Sequence, residues 1–266
     1  MDKKYVLVTG ASGGIGSAVV KKLLDTGFSV IGLDLADKGF SDPGYRFIRC
    51  DVTSPESVAE AYAGAASVTD SLACIVNTAG IVYMGSLIEE DAELMQKILD
   101  VNVAGMARVN RVFFPLIERG GGRIVNFSSE YGRFCSIPFH GFYTASKHAV
   151  ERYNDSLRRE LAYLGVKVIA IRPGAVDTQM TSGTVPQFER IRETTSHFSK
   201  TYGRLYPLMV GATKHPIPPE LIAEKVAGAL TKRRPKRAYN IRQDIRVKLL
   251  TMLPAGLTDF IFRSFF

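Results

Sequence analysis

Tyr143 and Lys147 stand four residues apart, so a helix over this segment would place both side chains on one face. A free tyrosine has a pKa of about 10, which is too high for a base at neutral pH. A neighbouring ammonium group favours the phenolate and lowers that pKa, so the pair predicts a tyrosine that exchanges a proton with a substrate. Two residues at this spacing can also form a plain surface contact, but the other motifs of the chain favour proton transfer.

A glycine-rich turn supplies the second piece of chemistry. It spans residues 9–16, follows a short apolar run and opens a segment with helical periodicity. Glycine lets the backbone approach a pyrophosphate closely, and a helix N-terminus adds free N–H groups and a positive dipole end. Asp34 closes the next apolar run, where a carboxylate can bind both ribose hydroxyls of an adenosine and repel a 2′-phosphate. No arginine is placed to bind a 2′-phosphate, so the sequence predicts NAD(H) and makes NADP the less favoured cofactor.

Short apolar runs and segments of helical pattern alternate along the chain and must position these residues. The apolar runs predict strands buried on both faces, at 4–9, 29–33, 45–49, 72–76, 122–127 and 166–171. Helices are predicted between them, at 15–26, 55–64, 89–118 and 142–164. Repeated strand–helix–strand units imply right-handed crossovers and a parallel sheet. The predicted fold class is α/β, a single-domain Rossmann fold over residues 1–266. Its sheet is doubly wound, with about seven strands and helices on both faces.

The same residues belong to a longer series of motifs. In chain order the series comprises the glycine spacing Gly10, Gly14, Gly16; Asp51-Val52; Asn77-Thr78-Ala79-Gly80; Asn102; Ser128-Ser129; Tyr143 with Lys147; and Pro173-Gly174 through Thr178. This series resembles the short-chain dehydrogenase/reductase family, strongly over residues 4–180 and in outline over the remainder. The resemblance implies an oxidoreductase that moves a hydride between a nicotinamide cofactor and a secondary alcohol or ketone.

The catalytic residues implied by the resemblance are Asn102, Ser129, Tyr143 and Lys147. Ser129 would orient the substrate oxygen, Lys147 would also hold the nicotinamide ribose, and Asn102 would hold a water that links Lys147 to solvent. Ser129 stands 14 residues before Tyr143, a little further than the serine usually stands in this family, so Ser128 is the alternative. Asn102 can also be a structural asparagine that makes a bond across the fold.

The resemblance also implies a cofactor site. Its residues are Gly10, Ser12, Gly13, Gly14, Ile15, Gly16, Asp34, Leu35, Asp51, Val52, Asn77, Ala79, Gly80, Tyr143, Lys147, Pro173, Gly174, Val176 and Thr178. Asp51 and Val52 would contact the adenine, and the segment ending at Thr178 would contact the nicotinamide end. Thr178 can instead be a helix N-cap. No metal is expected, since the four histidines and three cysteines show no metal-binding spacing.

Two segments bear on the substrate. Residues 179–218 break the alternation and predict an irregular insertion that forms a lid, with the apolar residues Met180, Phe188, Phe198, Tyr202, Leu205, Tyr206, Leu208 and Met209. These side chains can enclose a large apolar ligand, or they can pack the lid onto the sheet or a second subunit. Residues 241–266 predict an amphipathic extension, and the outline from Arg233 to Pro254 resembles the tails of hydroxysteroid and retinol dehydrogenases.

Together these features predict an NAD(H)-dependent, hydroxysteroid-dehydrogenase-like enzyme that acts on a steroid-sized apolar alcohol or ketone. The alternative keeps the chemistry and takes a smaller or carrier-bound carbonyl, such as a sugar, a retinoid or an acyl thioester. A dinucleotide-sensing protein without catalysis is disfavoured, because both Tyr143 and Lys147 are present.

Positive charge is concentrated in one place. Of a net charge of +8, residues 232–248 carry +7 and the rest of the chain is nearly balanced. No broad basic face with a recognition motif is evident, so a nucleic-acid partner is not expected. The basic run predicts a solvated tail, with contact to a membrane surface or to an anionic substrate tail as the alternative.

Location and assembly follow from weaker signals. No targeting segment is visible and the scattered cysteines fit a reducing compartment, so the expected location is cytoplasmic, with peripheral membrane contact left open. The resemblance implies a homodimer or homotetramer built through helices at 103–118 and 145–163. Small or apolar residues suited to close packing there are Ala104, Gly105, Ala107, Ala145, Ala149 and Val150.

Overall fold

A computed structural model of the chain describes residues 4–265 and contains one parallel sheet. Its strands are β1 (Tyr5–Thr9), β2 (Ser29–Asp34), β3 (Tyr45–Arg49), β4 (Cys74–Asn77), β5 (Arg123–Phe127), β6 (Lys167–Pro173) and β7 (Ala238–Ile241). They lie in the order β3-β2-β1-β4-β5-β6-β7. The chain reverses its direction of travel across the sheet between β1 and β4, which opens a crevice at their carboxyl ends.

The α-helices of the described residues surround this sheet. They are α1 (Gly14–Asp25), α2 (Pro55–Ala66), α3 (Glu93–Leu99), α4 (Met106–Gly120), α5 (Gly141–Ala162), α6 (Gln179–Ser182), α7 (Thr184–Thr194), α8 (Ser199–Ala212), α9 (Pro219–Thr231), α10 (Ile245–Thr251) and α11 (Ala255–Phe265). Helices α1 and α9 cover one face of the sheet, while α2, α4 and α5 cover the other. Successive side chains of β1 enter the two cores in turn, Val6 and Val8 on one face and Leu7 on the other. The predicted doubly wound α/β class is confirmed.

The seventh strand corrects one prediction. Residues 232–248 were expected to form a solvated tail, but β7 lies inside this run and pairs in parallel with β6, Ala170 opposite Ala238. Ile241 is buried and its carbonyl accepts a hydrogen bond from the N–H of Gly174. The strand is only four residues long and is flanked by basic residues, so its sequence shows no clear strand pattern. It forms because β6 offers a partner for pairing.

The helix predicted at 89–118 is divided in the structure. A π-helical segment (Asp100–Gly105) joins α3 to α4, so the turn widens at Asn102. Both polar atoms of the Asn102 amide bond the main chain of Ile81, at 2.8 and 2.9 Å. This tie to the loop after β4 explains where the helical repeat is interrupted.

The insertion at 179–218 is helical over α6, α7 and α8, which corrects the prediction of an irregular segment. Prolines had indicated broken structure, yet Pro186 lies in the first turn of α7, where its missing N–H costs nothing. Buried apolar side chains at helical spacing, Phe188 and Ile191 among them, hold α7 in place.

The predicted C-terminal extension forms α10 and α11, which are amphipathic and only partly covered. Large apolar side chains remain exposed along them, namely Ile245, Leu249, Met252, Leu257, Phe260 and Phe265. Among residues 4–265, no helix combines the length and the apolar character needed to span a bilayer.

Candidate active site

The predicted site residues converge on the carboxyl ends of the central strands. The glycine-rich turn follows β1, Asn77 ends β4, Ser129 follows β5 and Pro173 ends β6. Helix α5 crosses beside them and carries Tyr143 and Lys147 in its first two turns. Residues far apart in sequence therefore meet at one edge of the sheet, where ligands bind in folds of this kind.

The glycine-rich turn presents an open helix terminus. Helix α1 starts after Gly13 without a side-chain cap, and the N–H groups of Gly14, Ile15 and Gly16 find no acceptor among residues 4–265. Gly10 has a φ of +64°, and a Cβ there would lie 2.8 Å from the main-chain nitrogen of Ala79. Three free N–H donors at the positive end of a helix dipole fit an anionic pyrophosphate. Larger side chains in the turn would prevent this close approach of the backbone.

Asp34 lies beside this turn and fixes its position. Its carboxylate accepts hydrogen bonds from the main-chain N–H groups of Ser12, at 2.9 Å, and of Leu35, at 2.7 Å. Each carboxylate oxygen retains further acceptor capacity, which is what binding to a ribose diol requires. A cation that the sequence interpretation overlooked, Lys38, lies nearby and donates to the Ser17 hydroxyl at 3.0 Å.

The adenine-side residues have structural partners of their own. Asp51 accepts from the N–H and the hydroxyl of Thr53, and these bonds lower the pKa of its carboxyl. The side chain of Asn77 points into the sheet, where its amide nitrogen donates to Asn110 at 2.7 Å and to Asn126 at 2.9 Å. The amide oxygen of Asn77 is buried and has no partner within the described residues, so we expect the main chain of Asn77 to make the predicted cofactor contact, beside Ala79 and Gly80.

Ser129 and Tyr143 meet through their side chains. A hydrogen bond with Ser129 lowers the pKa of Tyr143, but burial of the phenol outweighs it, and the pKa rises to about 12. The sequence had predicted a lowered pKa caused by Lys147. The ammonium instead lies over the ring, 5.5 Å from its centroid, which is a weaker position from which to stabilise a phenolate oxygen.

Lys147 is buried between the strands and the loop after β4. Its ammonium donates to the carbonyl of Phe127 at 3.1 Å and would lie 3.8 Å from a Cβ on Gly80. Burial lowers the pKa of Lys147 to about 8, and the carboxylate of Glu151 opposes this shift. The lysine therefore carries its charge at neutral pH and can lose it just above.

Known proteins resemble this chain over nearly its whole length. The profile of the short chain dehydrogenase family matches residues 4–189. The human 17-beta-hydroxysteroid dehydrogenase type 6 is 33% identical, over 98% of this chain and 88% of its own length. Retinol dehydrogenase 16 of Rattus norvegicus is 31% identical, over 98% of this chain and 88% of its own.

The chain belongs to the short-chain dehydrogenase/reductase family. A solved relative, a variant of the actinorhodin polyketide ketoreductase with NADPH, superimposes with a TM-score of 0.75. It is 27% identical, with 90% of this chain and 95% of that chain covered. A nicotinamide cofactor is therefore supported for this short-chain dehydrogenase/reductase.

Asn102 has a structural role in this short-chain dehydrogenase/reductase. Besides its bonds to Ile81, its amide nitrogen donates to the hydroxyl of Ser146 at 3.0 Å. Ser146 lies between Tyr143 and Lys147 in sequence, so Asn102 ties the π-helical segment to the helix that carries both. Asn102 therefore makes the structural bonds across the fold that were one of its two predicted roles. Its other predicted role, in a water relay, is compatible with these bonds.

The two candidate serines differ in their surroundings. The hydroxyl of Ser128 is buried and makes no hydrogen bond within the described residues, and it lies against Gly132. The hydroxyl of Ser129 lies close enough to Tyr143 to lower the pKa of its phenol, and it accepts from the N–H of Tyr131 at 3.3 Å. The geometry favours Ser129 over Ser128 as the group that faces the phenol.

The loop after β6 closes over the glycine-rich turn. A Cβ on Gly14 would lie 2.5 Å from the Cγ2 atom of Thr178, so the two segments touch. Thr178 is also the N-cap of α6 and accepts from the N–H of Thr181. Val176 is buried and bridges to Ile217, which anchors the loop from the far side.

Most apolar residues of the lid pack against each other. Phe188, Tyr202, Leu205 and Met209 are buried in one cluster around Phe139. Of the apolar set proposed to enclose a ligand, only Met180 and Leu208 are exposed. Packing of the lid therefore accounts for the greater part of this set.

Glu130 is a candidate that sequence reasoning missed. It directly follows Ser129, is buried, and accepts a hydrogen bond at 2.6 Å from the N–H of Asp244, the N-cap of α10. Burial raises the pKa of Glu130 to about 7, and its charge in turn raises the pKa of Tyr143. No local sequence signal identifies Glu130, because its partner Asp244 lies in the C-terminal part of the chain and meets Glu130 only in the folded structure.

Proposed function

We propose that this chain is an NAD(H)-dependent oxidoreductase that interconverts a secondary alcohol and a ketone on a steroid-sized apolar substrate. The observation that carries the proposal is the juxtaposition of Ser129, Tyr143 and Lys147 beside an uncapped helix terminus. A proton donor, a hydroxyl to orient the substrate oxygen and a cation lie together where a dinucleotide pyrophosphate fits.

In this proposal Tyr143 carries the proton. A phenol with a pKa of about 12 is protonated at neutral pH, so in ketone reduction it donates its proton to the carbonyl oxygen. Ser129 holds that oxygen, and the charged Lys147 stabilises the phenolate that remains. The nicotinamide, when bound, supplies or accepts the hydride. Alcohol oxidation runs the same proton transfer in reverse, from the substrate hydroxyl to the Tyr143 oxygen.

The choice of NAD rests on Asp34. A carboxylate at this position binds a ribose diol and repels a 2′-phosphate. The ammonium of Lys38, in the loop after β2, donates to the hydroxyl of Ser17 on α1. These two observations support NAD over NADP.

The substrate class rests on different support. Relatives that cover 98% of this chain are named as hydroxysteroid and retinol dehydrogenases. Because most apolar residues of the lid are buried in its own core, we assign substrate contact to the exposed residues Leu87, Ile88, Met180 and Leu208. Leu87 lies against Gly141 at the start of α5, two residues before Tyr143.

We also propose a peripheral membrane location and a homo-oligomer. The exposed apolar residues of α10 and α11 alternate with Arg246, Lys248 and Arg263, a composition suited to a lipid surface. Ala104 and Ala145 are exposed on the helices predicted for subunit contact, whereas Gly105 and Val150 are buried within the chain.

Fluorescence titration tests the proposal, since the chain contains no tryptophan that would obscure the reduced cofactor. NADH and NADPH are titrated separately, and steroid, bile-acid and retinoid alcohols are then screened through the absorbance of the reduced cofactor. Preference for NADH with turnover of a large apolar alcohol is expected. Tight NADH binding with turnover of small or carrier-bound carbonyls alone would contradict the substrate assignment.

A further inference from the structure

A groove of about 710 Å³ runs between α5 and the strand pair β6–β7. Cations dominate its lining, with Asp155 as the single acidic residue. The basic residues that line it are Arg133, Arg152, Arg158, Arg172, Lys236 and Arg237. A concave surface of one charge sign concentrates oppositely charged ligands, because the low-dielectric walls focus its field.

Carboxylates neutralise only part of this charge. Asp155 is shared between Arg152, at 3.5 Å, and Arg158, at 3.3 Å. The side chains of Lys236 and Arg237 are exposed and form no ion pair with any residue in 4–265. Both come from the concentrated basic run of the sequence, which the proposed reaction does not use.

Arg172 gives the groove a fixed donor at its floor. Its Nε and Nη2 atoms bind the buried carboxylate of Glu151 at 2.8 and 2.6 Å, and the side chain is only 10% exposed. The remaining Nη1 group has no acceptor within the described residues, although Arg172 lines the groove. A guanidinium held in place by one carboxylate is pre-organised to bind a second anion through its free edge.

We infer that this groove is a binding site for a phosphate-bearing anion, held by Arg172 at the floor and by Lys236 and Arg237 at the rim. The shared chemistry is a phosphate group, either of a free phosphate or of a lipid headgroup. Arg133 lines this groove and also a neighbouring cleft, which it shares with Leu250 of α10 and Thr258 of α11. The inference does not depend on the proposed redox reaction.

Calorimetric titration with inorganic phosphate tests the site. The groove variant replaces Lys236→Gln and Arg237→Gln, both exposed, so the fold is not at risk. The matched control replaces Arg233→Gln and Arg234→Gln, which remove the same charge from the same segment outside the groove. The titrations are made with saturating NADH, so that phosphate cannot bind at the glycine-rich turn. Both variants retain that turn.

Affinity for phosphate should fall about tenfold in the groove variant and stay within about twofold of the wild type in the control. Equal affinities of the two variants would overturn the site. NADH binding should be the same in all three proteins, so failure of the proposed reaction and failure of this site give different results.

Vesicle sedimentation separates the two sources of phosphate. Vesicles of phosphatidylglycerol are compared with vesicles of phosphatidylcholine, at equal lipid concentration. Capture by phosphatidylglycerol that is lost in the groove variant, but kept in the control variant, assigns the site to a lipid headgroup. Phosphate binding without capture by either vesicle assigns it to a free phosphate, and both results support an anion site.

Discussion

Lys147 and Glu151 lie one helical turn apart on the buried side of α5, and the carboxylate of Glu151 raises the pKa of Lys147 against the effect of burial. Arg172 holds that carboxylate through two hydrogen bonds, at 2.8 and 2.6 Å. The charge of the lysine therefore depends on a pair of residues that do not touch the proposed substrate.

Replacement Glu151→Gln removes this support, so the pKa of Lys147 should fall below about 8. Ketone reduction needs the charged lysine, and turnover should begin to decline at a lower pH than in the wild type. The measurement is the pH dependence of turnover from about pH 6 to about pH 9, which brackets the pKa of the lysine. Glu160→Gln, at an exposed position of the same helix, is the control. If turnover of Glu151→Gln declined at the same pH as in the wild type, the role assigned to this carboxylate would be contradicted.

Glu130 should make stability depend on pH. Its pKa is about 7 in the folded chain against an ordinary value of 4.5, so folding favours the neutral form. That stabilisation is complete below pH 4.5 and is lost as the pH rises through 7. Glu130→Gln cannot ionise, so it should gain up to about 3 kcal/mol over the wild type at about pH 8 and nothing at about pH 4.5.

Denaturant unfolding at the two pH values measures this difference for Glu130→Gln. Glu118→Gln, at an exposed position of α4, is the matched control and should track the wild type at both. A Glu130→Gln protein that is less stable than the wild type at the higher pH would show that the hydrogen bond to Asp244 outweighs the burial of charge.

Asp34→Ala should change the choice of cofactor. Loss of a charged hydrogen-bond acceptor should weaken NADH binding about tenfold, while NADPH loses a repulsion and is weakened less. The ratio of the two dissociation constants is the readout, because Asp34 also fixes the turn at Ser12 and that change affects both cofactors. Asp37→Ala, an exposed neighbour, should leave the ratio unchanged. An unchanged ratio in Asp34→Ala would remove the basis for preferring NAD.

Buried and exposed residues of the lid should have different roles, the buried ones in packing and the exposed ones in substrate contact. Phe188→Ala opens a cavity in the lid cluster and should cost about 3–5 kcal/mol of unfolding free energy. Met180→Ala and Leu208→Ala, at exposed positions, should leave stability unchanged and raise the KM for an apolar substrate. Unchanged KM values in both would remove these residues from the proposed substrate surface.

The parts of the fold with a strong local pattern could be predicted from the sequence. Buried strands such as β1 and β5 are evident as apolar runs, and the glycine-rich turn needs its glycines because Gly10 adopts a positive φ. Tyr143 and Lys147 share a helix face through spacing alone. These features depend on residues close together in the chain.

Features that depend on distant neighbours could not be predicted. The strand β7 is stabilised by its pairing with β6, and the widened turn at Asn102 by the main chain of Ile81. The pKa of Tyr143 reflects burial by surrounding elements, which no spacing reveals. Glu130 acquires its partner only when Asp244 returns from more than a hundred residues away.

The most direct test of the central claim is the turnover of Tyr143→Phe on the best alcohol found in the screen. The substitution removes one oxygen from a half-buried ring, so NADH affinity should match the wild type. Turnover should fall by about 10²- to 10⁴-fold, because the group that exchanges the proton is gone. Tyr163→Phe, at an exposed position just beyond the same helix, should retain full turnover. A Tyr143→Phe protein that binds NADH and keeps wild-type turnover would contradict the account.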